Sequence, residues 1–179
     1  MPESEHPTVY TIGHSTRPIG EFTALLAEAG IELLVDVRAI PRSRTNPQFN
    51  RETLPASLEG IGVGYEHLAA LGGRRSRQGA APSPNTFWRN DSFRNYADYA
   101  ATEPFKSGLS ALEGEARWRR CAIMCSETLW WRCHRRIISD YLIADGFPVL
   151  HIMGPHKTEP AVLTPNAQRL VDGTLVYRE

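Results

Sequence analysis

Residues Ile31 to Val37 read Ile-Glu-Leu-Leu-Val-Asp-Val, an almost unbroken apolar run between Gly30 and an arginine-rich segment. A strand of that kind is buried on both faces, which is the condition of strands in parallel sheets covered by helices on each side. The neighbouring segments fit the same plan. Thr8–Ile12 reads as a first strand, and Ile19–Ala29 as a helix with Phe22, Leu25, Leu26 and Ala29 on one side and Gly30 as its stop. Gly64–Leu68, Trp118–Met124 and Phe147–Ile152 supply three more strands. Between them the spacing predicts helices over 51–59, 92–101, 105–115 and 132–145, and Thr164-Pro165 has the form of a further helix start. Strands alternating with helices predict an α/β domain with a mostly parallel five-stranded sheet and helices on both faces, a Rossmann-like three-layer sandwich.

No composition shift divides the chain, so residues 1–179 read as a single domain. Residues 72–90 form a long polar loop able to move, and 153–179 an extension that packs on the domain. No apolar stretch approaches the roughly 20 residues that span a bilayer, and the first residues lack a basic start with an apolar centre. The expected setting is the cytoplasm, with no membrane partner. Three cysteines, an odd number, then read as thiols or ligands and not as a disulfide framework.

Net charge is zero, yet the basic residues are uneven. Arg38, Arg42, Arg44 and Arg51 lie in one stretch without an acid among them until Glu52, and Arg74, Arg75, Arg77, Arg89 and Arg94 lie in another beside Asp91. The planar guanidinium fork suits phosphate and carboxylate, so an anionic small molecule or a nucleic acid is the expected partner. Trp88 and Phe87 within the second cluster fit stacking on a base. Sequence alone assigns no oligomeric state.

In a parallel sheet the carboxyl ends of the strands share one edge, where ligands bind. That edge collects Gly13, His14 and Ser15 from the first strand, Asp36 and Arg38 from the second, and His67 from the third. The fourth adds Cys125 and Glu127, and the fifth His151. Arg42, Ser43 and Arg135 lie on the adjoining loops and helix. Cys125 is read as a nucleophile of lowered pKa near a helix N-terminus, with a small buried apolar thiol as the plain alternative. His14, His67 and His134 are the proton carriers and Glu127 orients one of them. Gly13, Ser15, Asp36, Arg38, Arg42, Ser43, Arg135 and His151 are the binding set, with backbone N–H groups after Gly13 as further donors. Thr16 is read as a helix cap, and Arg135 with Arg136 as a possible solvated helix face.

The turn after the first strand lacks the glycines of a dinucleotide fingerprint and the Gly-Lys-Ser/Thr ending of a P-loop. Cys125 and Arg132 stand at Cys-x6-Arg, one residue longer than the anion loop of tyrosine phosphatases. No cofactor is expected. Zinc on Cys125, Cys133 and His134 is the alternative, although a spacing of eight departs from common knuckles.

Thr11-Ile12-Gly13-His14-Ser15, Asp36-Val37-Arg38, Pro41-Arg42-Ser43, Asn46-Pro47-Gln48-Phe49, Tyr65-Glu66-His67-Leu68, Leu71-Gly72-Gly73, Phe93-Arg94-Asn95-Tyr96, Cys125-Ser126-Glu127 and Cys133-His134-Arg135 followed by His151-Ile152 together form a specific pattern. With these motifs the chain resembles the family known as domain of unknown function 488, from the first strand to about His156. The resemblance implies an α/β fold and a site built from these residues, and no particular reaction. Three expectations follow from residues and resemblance together: an enzyme acting on a phosphate- or nucleotide-like ligand, a non-catalytic nucleic-acid-binding or repair-associated module, or a metal site.

Overall fold

The computed structural model describes residues 5–179. Five parallel strands run through its sheet: β1 (Val9–Gly13), β2 (Leu33–Asp36), β3 (Gly64–His67), β4 (Cys121–Cys125) and β5 (Val149–Gly154). A sixth, β6 (Lys157–Pro160), pairs antiparallel with β5 at the edge. The order is β3-β2-β4-β1-β5-β6. The sheet is therefore mixed and six-stranded, one strand more than the pattern predicts. Lys157-Thr158-Glu159-Pro160 escapes a hydrophobic reading because it is an edge strand with mostly exposed side chains.

Helices α1 (Ile19–Glu28) and α2 (Leu54–Glu59) cover one face. Phe22, Leu25 and Leu26 of α1 pack there with Leu54 and Leu58 on Ile12, Leu34, Ala122, Met124 and Ile152. The other face is covered by α3 (Asp91–Tyr99), α4 (Glu103–Ala116) and α5 (Arg135–Ala144). Its core holds Tyr96, Phe105, Leu112, Ile137, Ile138 and Leu142 against Val35, Val37, Ile123 and Val149. Alternate residues of β2 and β4 thus feed two separate cores, which is why both strands are apolar throughout.

Pro165 begins no helix. A turn leads into the hairpin β7 (Ala167–Arg169) and β8 (Leu175–Tyr177), which packs on the α5 face. Tyr177 donates its hydroxyl to Asp140 Oδ2 at 2.8 Å, and its amide donates to Asn85 Oδ1 at 2.9 Å. Asn85 Nδ2 in turn donates to Asp98. The second half of the 72–90 segment is tied to α3 and to the C-terminal hairpin. Trp88 stacks on Phe93 and is only 6 % exposed, so it presents no ring for a nucleic-acid base. Among the described residues no helix is long and apolar enough to cross a membrane.

The chain leaves β2 toward β3 through α2 on one side of the sheet, and leaves β4 toward β5 through α5 in the opposite direction on the other side. Strands β2 and β4 are neighbours, so the two departing loops part above them. This divergence opens a crevice at the carboxyl edge, the place where open α/β sheets bind ligands.

Candidate functional site

A cleft of about 680 Å³ lies over that crevice. Its lining brings together His14, Ser15, Arg38, Arg42, Ser43, Cys125, Glu127, Cys133 and His134. Of the residues expected there, Gly13, Asp36, His67, Arg135 and His151 lie outside the lining, each for a physical reason.

Gly13 sits at the crossing of two chains. A Cβ on it would fall 1.9 Å from the Glu127 carbonyl oxygen, so only glycine lets the 126–128 backbone run across the end of β1. That crossing occupies the backbone donors expected to hold an anion. His14 N–H donates to Cys125 O at 2.9 Å and Ser15 N–H to Ser126 O at 3.0 Å. Thr16 caps nothing: α1 starts after Pro18 with no side-chain cap.

Asp36 and Arg38 take each other. Arg38 Nε and Nη2 reach Asp36 Oδ1 and Oδ2 at 2.9 and 2.7 Å, and Nη2 also donates to Phe49 O. Tyr65 donates its hydroxyl to Asp36 Oδ2, and burial with that bond raises the phenol's pKa. Nη1 of Arg38 remains on the cleft side, 3.3 Å from His14 Nε2. His67 Nε2 donates to Arg38 O at 2.8 Å. This group fixes the loop after β2; its charge is largely balanced internally.

His14 is stacked on Phe49 and holds its Nδ1 2.8 Å from Ser15 O, so Nδ1 carries the proton and Nε2 the lone pair. Burial, helped by the charge of Arg38, lowers its pKa to about 4. A neutral imidazole of that kind suits positioning of Arg38 better than proton transfer near neutrality.

The two thiols form the centre. Cys125 Sγ and Cys133 Sγ are 2.7 Å apart. Cys133 follows a 3₁₀ turn (Trp130–Arg132) and immediately precedes α5; its sulfur accepts the Arg135 N–H at 3.4 Å and faces His134 Nδ1 at 3.5 Å. His134 Nε2 donates to Val37 O at 2.7 Å, which fixes the ring with Nδ1 toward the sulfur. Gly73 backs this ring closely, for a Cβ there would lie 2.8 Å from Nδ1.

Burial pushes the Cys133 thiol up, but the hydrogen bond from Cys125 and the charges of His134 and Arg135 outweigh it and hold the pKa well below the ordinary thiol value. Cys125 goes the other way: burial, then the bond and charge of Cys133, raise it well above that value. The sequence pattern puts the nucleophile at Cys125; of the two sulfurs it is Cys133 that receives the Arg135 N–H and faces the His134 imidazole. Cys125 ends a strand, and the turn over 126–134 separates it from the helix, whereas Cys133 stands at the helix N-terminus.

Arg135 is no solvated residue. It is 1 % exposed and lies beneath the sulfurs, donating from Nη1 to Thr11 Oγ1 at 3.0 Å and from Nη2 to Glu127 O at 2.6 Å. No carboxylate pairs with it among the described residues, and its Nε has no hydrogen-bond partner. Arg136 likewise lies over the Trp88 ring and donates to Thr164. Thr11 Oγ1 is also hydrogen-bonded to His151 Nδ1 at 2.6 Å. His151 is buried, stacked on Trp130, and lowered to about 4 by burial and by Arg135. Glu127 does line the cleft; its Oε1 accepts the Leu129 N–H.

The rim adds residues that the sequence pattern leaves aside. Arg74 and Arg132 line the cleft, are exposed, and have no side-chain partner among the described residues. Arg42 is paired only with Glu52 at 3.5 Å, both exposed. Phe93 and Tyr96 supply an aromatic wall. The signal for Arg74 is its place directly after Gly72-Gly73, beside the imidazole that Gly73 accommodates. Among the described residues no three His, Cys, Asp or Glu side chains are grouped to hold a metal. Cys125, Cys133 and His134 touch one another in a row, and two thiolates on one zinc, each about 2.3 Å from it, stand farther apart than these sulfurs.

Fold and site define a three-layer α/β protein with a paired-thiol cleft at the switch point of its sheet. The family model described as "Domain of unknown function DUF488" matches residues 18–142, and the chain belongs to that family. The match contains β2, the arginine loops and both thiols, while Gly13, His14 and His151 lie outside it. No curated protein and no solved structure matches the chain.

Proposed function

We propose that the protein is a small enzyme that binds a phosphate- or nucleotide-like anion in the cleft and attacks an electrophilic centre of that ligand with the Cys133 thiolate. The observation that carries this reading is the pairing of a floor and a rim. The floor holds a thiol of lowered pKa against an imidazole, and the rim holds Arg74 and Arg132 with no acid partner among the described residues. Unpaired guanidinium groups over a concave site favour an anion. Half-buried Phe93 on the cleft wall offers an aromatic face for a base.

In this mechanism Arg74, Arg132 and Arg42 hold the anion. Cys133 Sγ forms the new bond as the bond to the leaving group breaks. His134 Nδ1 takes the Cys133 proton as the thiolate forms and passes it to the leaving group, since Nε2 is held by Val37 O. Glu127 then takes a proton from the water that cleaves the covalent intermediate. Arg38, His14 and His67 position the loop, and Arg135 with His151 supports the thiols from below. The nucleic-acid reading is weaker because Trp88 is buried, and the zinc reading because the donors do not converge.

Calorimetric titration with inorganic phosphate and nucleoside monophosphates tests the binding step. Arg74→Ala and Arg132→Ala should each weaken binding about tenfold, the scale of a hydrogen bond to a charged group. Cys133→Ser should keep binding and lose turnover of a phosphoester panel. Affinity unchanged in the double arginine variant refutes the reading. Single-stranded oligonucleotide binding with a steep salt dependence, intact in Cys133→Ser, would favour the nucleic-acid module.

A further inference from the structure

The mechanism above uses one thiol, but the cleft holds two, in contact. Cys125 lines the same cavity as Cys133, and its sulfur is 2.7 Å from the attacking one. A shift of roughly 0.7 Å brings that separation to the bonded distance of about 2.05 Å. Cys125 Sγ also lies beside the Arg135 guanidinium and makes a weak contact to Glu127 O at 3.8 Å. The third cysteine, Cys121, is at the opposite end of β4, buried in the core, and takes no part.

We infer that Cys133 and Cys125 form a reversible dithiol–disulfide couple, with Cys133 the attacking thiol, Cys125 the resolving thiol and a small hydroperoxide the oxidant. This goes beyond the proposed nucleophile and does not depend on the anionic ligand.

The roles follow from the contacts of each sulfur. Cys133 Sγ receives the Arg135 N–H and lies beside an imidazole and a guanidinium, all of which favour its thiolate. Cys125 Sγ receives no backbone donor and itself donates weakly to Glu127 O. In the first step the Cys133 thiolate attacks a peroxide oxygen; the S–O bond forms, the O–O bond breaks, and the leaving alkoxide or hydroxide takes a proton. The product is a sulfenic acid. In the second step Cys125 Sγ attacks the sulfenic sulfur; the S–S bond forms, the S–O bond breaks, and the hydroxyl leaves as water with the Cys125 proton. Two thiols and one hydrogen peroxide thus give one disulfide and two waters. An external dithiol reverses it by exchange.

Arg135 sets the poise of the couple. Its guanidinium is buried, has no carboxylate partner among the described residues, and lies beside both sulfurs, the thiolate included. Oxidation removes that negative charge and leaves the cation uncompensated, which costs free energy. The reduced state is favoured, so the disulfide is readily reduced. Substituting Arg135 by Met, of similar length but uncharged, should shift the thiol–disulfide equilibrium toward the disulfide by about tenfold, or about 30 mV.

The full chain is exposed to one equivalent of hydrogen peroxide and analysed by mass spectrometry with and without dithiothreitol. The expected product is about 2 Da lighter, monomeric, and restored by the dithiol. Trypsin leaves Cys121 and Cys125 on one peptide and Cys133 on the next, so fragment ions must assign the bridge to Cys125. In Cys125→Ala the sulfenic acid on Cys133 persists and is trapped by dimedone, then advances to sulfinic acid. In Cys133→Ala, Cys125 is not oxidised at matched dose. Over-oxidation of the wild type without a bridge, a bridge to Cys121, or trapping on Cys125 would each overturn the inference. Circular dichroism of each variant separates a lost thiol from a lost fold. No anion is present in this assay, so it can fail while the ligand titration succeeds, and the reverse.

Discussion

At the level of single side chains, the proposed reactivity of Cys133 depends on His134 and what holds it. Alkylation of Cys133 by iodoacetamide should persist to lower pH than an ordinary thiol allows, because its thiolate is favoured in the folded state. The linkage has a definite sign. A thiol whose folded pKa is depressed adds stability that is fully present above the unfolded value and is lost as pH falls through the folded one. Gly73→Ala should slow that alkylation, since the new Cβ meets His134 Nδ1 at 2.8 Å and pushes the ring from the sulfur. Overpacking of this kind costs about 1–3 kcal/mol, which a urea titration reads. His14 and His151 act with the same sign in a lower pH range. Both are held neutral by burial and lowered to about 4, so stability should fall on acidification from about 6.5 toward 4 as the unfolded chain gains their protons. Urea midpoints collected across that range check it. The types and positions of the cleft residues were readable along the chain; their partners were not. Nothing local to Asp36-Val37-Arg38 says that the acid and the base clasp each other, and nothing local to Cys125 says that its sulfur meets a second thiol eight residues on.

At the level of elements, the loop after β2 is shaped by one buried ion pair. Asp36→Asn leaves Arg38 charged, 5 % exposed and short of its bidentate partner. Loss of about 3–5 kcal/mol is expected, on the scale of breaking a buried pair, together with weaker anion binding as the Arg42 segment loosens. Denaturation and calorimetry on the same variant measure both. The five parallel strands and the helices between them were legible because hydrophobic period and glycine or proline stops act locally. Where the periods failed, burial was the reason. Lys157–Pro160 carries polar side chains at the sheet edge, and the hairpin after Pro165 is set by contacts with Asp140, Tyr141 and Asn85 far away in sequence.

At the level of the whole molecule, the C-terminal hairpin closes the structure over the α5 face. Tyr177 joins Asp140 of α5 to Asn85 of the long segment, and its ring packs with Trp88. Tyr177→Phe leaves the buried Asp140 carboxylate with one donor fewer and should cost about 1–3 kcal/mol, seen as a lower thermal midpoint with the fold retained. The same tie explains why the 72–90 stretch, read from its glycines and prolines as a mobile loop, has an anchored second half: the residues that fasten it lie some ninety positions away.

The stretch between the two thiols carries Trp130 and Trp131, the first stacked on His151 and the second 41 % exposed. Joining the sulfurs would turn that stretch into a small macrocycle with both indoles inside it. Their ultraviolet emission should then differ between the two oxidation states, so the polypeptide carries a built-in optical gauge of its own sulfur chemistry, readable without any added dye.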